Sequence, residues 1–285
     1  MKKALALLLA ICLVFALAAC GQEGAQTSEP PASEAPEETP GEDITSPALP
    51  PVEVVVFAAA SMEATLTEIA ELYKEVAPNV TLTFTFDSSG TLKTQIEEGA
   101  VCDLFISAAQ KQMNQLDAAD TTGTNTDGLD LVENKVVLAV PDENPAGIEG
   151  FSDLASDKLS LLCLGNDDVP VGAYSLQILD YLGIDIAGLE AEGKVTYASN
   201  VSEVATQVKE GAVDCGIIYA TDAFTYELNV VDQAAPEMCD QVIYPAAVMK
   251  SGTAEAAEAA QAFLDYIHTD EAAIAVLEGV GFTVL

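Results

Sequence analysis

Four short stretches of this sequence place hydroxyls, glycine or proline where an apolar, β-branched run gives way to a helical pattern. In Phe57-Ala58-Ala59-Ala60-Ser61 the serine stands as the cap of the helix that follows, its hydroxyl and nearby N–H groups at the positive end of a helix dipole. Asp87-Ser88-Ser89-Gly90-Thr91 offers three hydroxyls and a glycine that lets the backbone approach closely. Val169-Pro170-Val171-Gly172 starts a helix at a proline, with free N–H groups beyond it, and Ser199-Asn200-Val201-Ser202 opens another. In an α/β sheet such junctions lie at the carboxyl ends of strands, where ligands bind. Singly, each is an ordinary cap. Facing one cleft, the four would form an anion site of backbone N–H groups and neutral hydroxyls that needs no counter-charge.

The composition favours that kind of site over others. The 285 residues include 10 Lys, no Arg and 46 acidic residues, a formal net charge of −36, which excludes a nucleic-acid phosphate backbone or anionic lipid headgroups as partners. Surface charge is screened beyond about 8 Å at physiological salt, so buried donors can still hold an anion. A single histidine, His268, leaves little for proton transfer. A serine hydrolase using Ser61 or Ser89 would need a base within reach, yet His268 lies in the C-terminal helical region and neither serine sits in a G-x-S-x-G turn. No CxxC pair occurs, and no His or Cys cluster accompanies Asp167-Asp168 or Glu97-Glu98, which read as solvated faces. No free metal ion and no cofactor are expected. Tyr174 reads as packing, and His268 as a helix-end residue beside the negative end of the dipole.

The elements that must position these residues alternate. Strand patterns fall at 52–57, 80–86, 103–107, 135–140, 159–164, 194–198 and 215–219, with an extended run at 241–249. Helical periodicity falls at 62–76, 91–99, 110–116, 172–182, 201–210, 254–268 and 271–278, and 120–129 is a polar loop. Alternation of this kind signifies βαβ units. Seven parallel strands are too many for one small sheet, so the expected architecture is a two-lobed α/β fold, each lobe a mostly parallel sheet flanked by helices, with the cleft between them. The expected lobes are 52–137 plus 248–285, and 138–247. Cys102, Cys163, Cys215 and Cys239 allow three disulfide pairings, among which the sequence does not choose.

The first 51 residues stand apart. Lys2 and Lys3 precede sixteen apolar residues, Ala4 to Ala19, the pattern of a secretory signal and short for a membrane span. Leu17-Ala18-Ala19-Cys20-Gly21 resembles the lipobox of bacterial lipoproteins, which implies cleavage after residue 19 and lipid on Cys20. Residues 20–51 read as a disordered acidic tether, because 21–51 hold seven prolines and seven acidic residues with neither aromatics nor lysines.

The globular part resembles the molybdate-binding proteins of bacterial ABC importers, which have the type II periplasmic binding fold. The resemblance runs over nearly all of 53–285. It rests on Val56-Phe57-Ala58-Ala59-Ala60-Ser61, Ser88-Ser89-Gly90-Thr91-Leu92, Asp103-Leu104-Phe105-Ile106-Ser107-Ala108, Val169-Pro170-Val171-Gly172, Gly216-Ile217-Ile218-Tyr219-Ala220-Thr221-Asp222-Ala223 and Tyr244-Pro245-Ala246-Ala247-Val248. It implies that an oxyanion is held by Ser61, Ser89, the amides of Val171 and Val201, and the hydroxyl of Tyr219. It also implies a monomeric, lipid-anchored extracytoplasmic receptor that delivers molybdate or tungstate to an ABC permease and its ATPase, without chemistry on the ligand. A fully deprotonated dianion presents only acceptors and suits an all-donor site; sulfate does so too, and phosphate does not. Asp87, where the family tends to carry a small neutral residue, is the departure that bears on sulfate or phosphate as the alternative ligand.

Overall fold

The computed structural model describes residues 50–119, 128–250 and 252–285. The leader, Cys20, most of the tether and most of the polar loop at 120–129 lie outside the described residues. Eleven strands and nine α-helices occur among the described residues.

The first sheet begins with β1 (Val52–Ala59), β2 (Val80–Asp87) and β3 (Leu104–Ile106), linked by α1 (Glu63–Val76) and α2 (Ser89–Glu97). Strand β1 is parallel to both β2 and β3 and is buried along its second half, hence its nearly unbroken apolar run. Helix α1 turns Leu66, Ile69, Ala70 and Tyr73 inward at three- and four-residue spacing. After α3 (Gln110–Ala119) come β4 (Leu129–Asn134) and, one residue on, β5 (Val136–Val140).

The second sheet holds β5 with β6 (Leu162–Gly165), β7 (Val195–Ala198), β8 (Cys215–Tyr219) and β9 (Asn229–Gln233), in the order β7-β6-β8-β5-β9. Helices α4 (Pro170–Tyr181), α5 (Ile186–Ala191), α6 (Val201–Lys209) and α7 (Ala220–Thr225) connect its strands. The chain then returns to the first sheet as β10 (Val242–Val248), followed by α8 (Ala254–Thr269), α9 (Glu271–Gly279) and β11 (Thr283–Val284), which complete the order β11-β4-β10-β3-β1-β2. Tyr73 of α1 lies against Phe263 and Tyr266 of α8, ring centroids 5.0 Å apart in both pairs.

The two-lobed α/β architecture agrees with the sequence, with three corrections. The sheets are mixed rather than mostly parallel: β10 is antiparallel to β3 and β4, and β5 is antiparallel to β8 and β9. The physical reason is that β5 and β10 enter their sheets from the lobe crossings, with no helical crossover to return them in a parallel direction. The lobe boundaries expected at 137/138 and 247/248 shift for the same reason, since β5 pairs in the second sheet from Val136 and β10 in the first from Val242. The chain thus crosses at Lys135 and returns between Gln233 and Val242. Third, β4, β9, β11, α5 and α7 add to the elements the sequence predicts; they are short and, unlike the equally short β3, β6 and β8, polar residues interrupt them, so no continuous apolar run marks them. Cys102, Cys163, Cys215 and Cys239 form no disulfide with one another. Burial pushes the first three up to about 12, so they behave as small core residues.

Candidate oxyanion site

The carboxyl ends of β1, β2, β3, β6, β7 and β8 converge on one small cavity between the lobes. Ser61, Asp87, Ser88, Ser89 and Ala108 line it from the first lobe, and Val169, Pro170, Val201 and Tyr219 from the second. Its volume is about 200 Å³, room for a single small group. An adjoining groove of about 1400 Å³ at the lobe junction carries Asp130, Asp167 and Asp240 against one cation, Lys111, a setting that disfavours anions.

Of the five residues singled out from the sequence, Ser61, Ser89, Val201 and Tyr219 line this cavity. Val171, next in sequence to Val169 and Pro170 of the lining, does not itself line it, and its side chain is fully buried. Its N–H lies in the first turn of α4, where no intrahelical acceptor exists. Val201 is the first residue of α6, whose start is capped by Asn200 accepting from the Glu203 N–H, 2.9 Å.

Ser61 departs from its expected role as a cap. It lies within a 3₁₀ turn, Ala60–Met62, and neither that turn nor α1 has a side-chain cap. Its hydroxyl instead meets the hydroxyl of Tyr244 on β10, 2.9 Å away and 183 positions on in sequence. Ser89 Oγ accepts from the Ala108 N–H at 2.9 Å, which leaves the serine proton for another acceptor. The cap of α2 is Ser88, whose Oγ accepts from the Thr91 N–H at 3.1 Å.

Tyr219 is completely buried, and its hydroxyl has no partner within the protein although it lines the cavity. Burial first, and then the nearby Tyr244 hydroxyl, raises its pKa well above the ordinary phenol value, so it remains a neutral donor. Tyr244 is raised likewise by burial. Asp87 also lines the cavity, with its Oδ1 accepting from the Ser88 N–H at 2.7 Å; this ties the carboxylate to its own turn. Tyr174 packs edge-on at 6.4 Å from Tyr219, as packing rather than contact with the cavity.

Tyr244, Asn134, Asp168 and Asp222 are neighbours of the site that sequence reasoning missed. Tyr244 stood inside a quoted motif, yet only strand pairing reveals what it touches. The Asp168 carbonyl accepts from the Gly90 N–H at 3.0 Å, a backbone bond across the cleft. Asp222 is 2% exposed, lines a second space of which Ser61 is also a wall, and keeps Oδ2 without a partner. For the hydrolase reading, His268 Nε2 lies 2.8 Å from the Leu285 carbonyl, far along the chain from either serine, whose hydroxyls meet Tyr244 and Ala108 instead. Among the described residues no three His, Cys, Asp or Glu side chains gather as metal ligands do.

Two mixed sheets joined by extended crossings, with a donor-lined cavity where their strand ends meet, define a solute-binding protein of the two-lobed class. The profile of the bacterial extracellular solute-binding proteins matches residues 54–283, and the chain belongs to that family. It is 35% identical to YvgL of Bacillus subtilis, a candidate ABC transporter substrate-binding lipoprotein, over 81% of this chain and 86% of that one. It is 32% identical to the molybdate-binding protein ModA of Haemophilus influenzae over 81% and 89% of the two chains. Among solved structures, the substrate-binding domain of a candidate molybdenum ABC transporter from Clostridium difficile is 33% identical. That match has a TM-score of 0.59 and covers 82% of this chain and 99% of that one.

Proposed function

We propose that this chain is the extracytoplasmic receptor of an ABC importer, that it captures molybdate or tungstate between its lobes, and that it hands the ion to the permease and its ATPase. Lipid on Cys20 would hold the monomer at the membrane, with residues 20–51 as the tether. The observation that carries the reading is the convergence of neutral donors. Ser61, Ser89, Tyr219 and Val201 share the lining of one small cavity, and the first turn of α4, with the Val171 amide, stands beside it; together they would offer three hydroxyls and two amides to one ion. A tetrahedral dianion without protons can accept from all of them, and no bond of the ligand is broken. The names of the ModA relatives and of the Clostridium difficile domain support the same ligand.

Thermal melting of the chain with molybdate, tungstate, sulfate and phosphate at matched ionic strength tests this. A ligand at about 100 times its dissociation constant adds roughly 2.7 kcal/mol to folded-state stability, so molybdate and tungstate are expected to raise Tm clearly and the other two little. A shift with sulfate or phosphate alone would overturn the ligand. Ser61→Ala and Ser89→Ala should each weaken molybdate binding by about 1 to 3 kcal/mol, the range for a hydrogen bond to a charged group. Titration calorimetry checks this, and unchanged affinity in both variants removes the site.

The Asp87 carboxylate on the cavity wall favours a second reading, because it could accept a proton from phosphate. Its engagement by the Ser88 N–H argues that it shapes the turn. Asp87→Ala is therefore expected to leave the ratio of molybdate to phosphate affinity within about twofold, whereas a phosphate receptor would lose about tenfold of its phosphate affinity.

A further inference from the structure

Behind Ser61 runs a chain of hydrogen bonds whose direction is determined at its far end. Asn134, 1% exposed, is the last residue of β4 and stands at the crossing between lobes. Its Oδ1 accepts from the Lys135 N–H at 2.8 Å. A backbone N–H can only donate, so the amide is oriented with Nδ2 facing the other way. Nδ2 donates to Thr221 Oγ1 at 2.9 Å and to the Tyr244 hydroxyl at 3.2 Å. Having accepted from Asn134, Tyr244 has one proton to place, and the other polar atom bonded to its hydroxyl is Ser61 Oγ at 2.9 Å. The opposite assignment, Ser61 donating to Tyr244, would leave a buried phenol proton without an acceptor. Tyr244 therefore donates to Ser61, and the single proton of Ser61 is turned toward the cavity.

We propose that Asn134 and Tyr244 form a donor relay that commits Ser61 to donating into the cavity, and that this relay selects oxyanions carrying no proton over those that carry one. Both are positioning residues that act through Ser61. The inference rests on the reading of the site as an oxyanion receptor and adds the basis of its selectivity. A ligand that presents O–H to Ser61 leaves the serine proton without an acceptor, whereas a ligand of acceptors alone takes that proton.

The test measures dissociation constants for molybdate and monohydrogen phosphate by calorimetry on the full chain in detergent, at one pH where molybdate is fully deprotonated and phosphate keeps a proton. Tyr244→Phe cuts the relay; the molybdate constant is expected to rise about 10- to 100-fold while the preference over phosphate falls at least about fivefold. Asn134→Asp reverses the relay, because a carboxylate accepts from Tyr244 and frees that oxygen to accept from Ser61. The preference should fall further, and since both ligands are dianions the added charge cancels in the ratio. Thr221→Val removes a neighbour of Asn134 but leaves the relay, and should keep the ratio.

A merely structural role would weaken both ligands equally, so an unchanged ratio in Tyr244→Phe and Asn134→Asp overturns the relay. Should Tyr244→Phe fail to fold, Asn134→Asp and Asn134→Leu decide. Failure of all three to fold also overturns the relay, because these side chains would then be core residues first. Absence of molybdate binding in the unmodified chain would instead overturn the receptor reading itself.

Discussion

Replacing Gly90 with alanine is expected to raise the molybdate dissociation constant by at least about 100-fold, because the closed arrangement has no space for a methyl group there. A Cβ at Gly90 would stand 2.4 Å from the carbonyl oxygen of Asp168 and 2.8 Å from its Cα. These are backbone atoms of the other lobe and cannot rotate aside, so the lobes must part. The bond from the Gly90 N–H to that carbonyl would be lost with them. The first lobe itself should not suffer, since alanine within α2 is favoured over glycine by about 1 kcal/mol. The expected result is therefore a variant that melts at or above the temperature of the unmodified protein but fails to contract on adding molybdate, as read by small-angle X-ray scattering. Binding within about threefold of the unmodified affinity would show that this cross-cleft contact is no part of the ligand-bound state.

Asp222→Asn should change the pH dependence of both stability and binding. The carboxyl of Asp222 is completely buried, and burial pushes its pKa up to about 8 from an ordinary value of 3.8, against the lowering effect of backbone N–H groups at Tyr219 and Asp222. Between those two values the native state holds a proton that the unfolded chain has released. The contribution of this group to stability is thus complete below about pH 4, declines as pH rises toward about 8, and is lost above it. Asparagine keeps an oxygen for the backbone donor and cannot ionise. The Tm difference between variant and unmodified protein should be near zero at the acid end and grow to the equivalent of about 1 to 3 kcal/mol at the alkaline end, the cost of a buried polar group left unpaired. Ser61 borders both the oxyanion cavity and the space lined by Asp222. Molybdate affinity should therefore fall above about pH 8 in the unmodified protein as that charge appears, and stay flat in the variant. Parallel pH curves for the two proteins would refute the assignment.

Much of the site was legible because the information is local. The spacing of Leu66, Ile69 and Tyr73 and the unbroken run of β1 depend on residues a turn or a strand apart, and they determined the helix, the strand and the junction at Ser61. The same holds for Ser88-Ser89-Gly90 before α2 and Asn200 before α6, where short-range capping chemistry writes its own signal. The absence of Arg and the surplus of carboxylates determined the kind of anion site the chain could build. Tyr219 was legible through its motif rather than through any periodicity.

What only the tertiary structure decided depends on partners far apart in the chain. Ser61 and Tyr244 are 183 positions apart, and Asn134 and Tyr244 are 110 apart; they meet because β10 pairs antiparallel with β3 and β4, a register no local pattern encodes. Ser61 consequently gave up the capping role that its position suggests. Asp168 reads as a solvated residue and its side chain is exposed, yet its carbonyl meets Gly90, because lobe closure is set by two surfaces rather than one segment. Asp222 stands in a quoted motif with no role assigned to it, and only its burial in the tertiary structure pushes its carboxyl up to about 8. Local patterns determine which elements form and where they can offer donors; long-range pairing and closure decide which donors face one another and how much water remains between them.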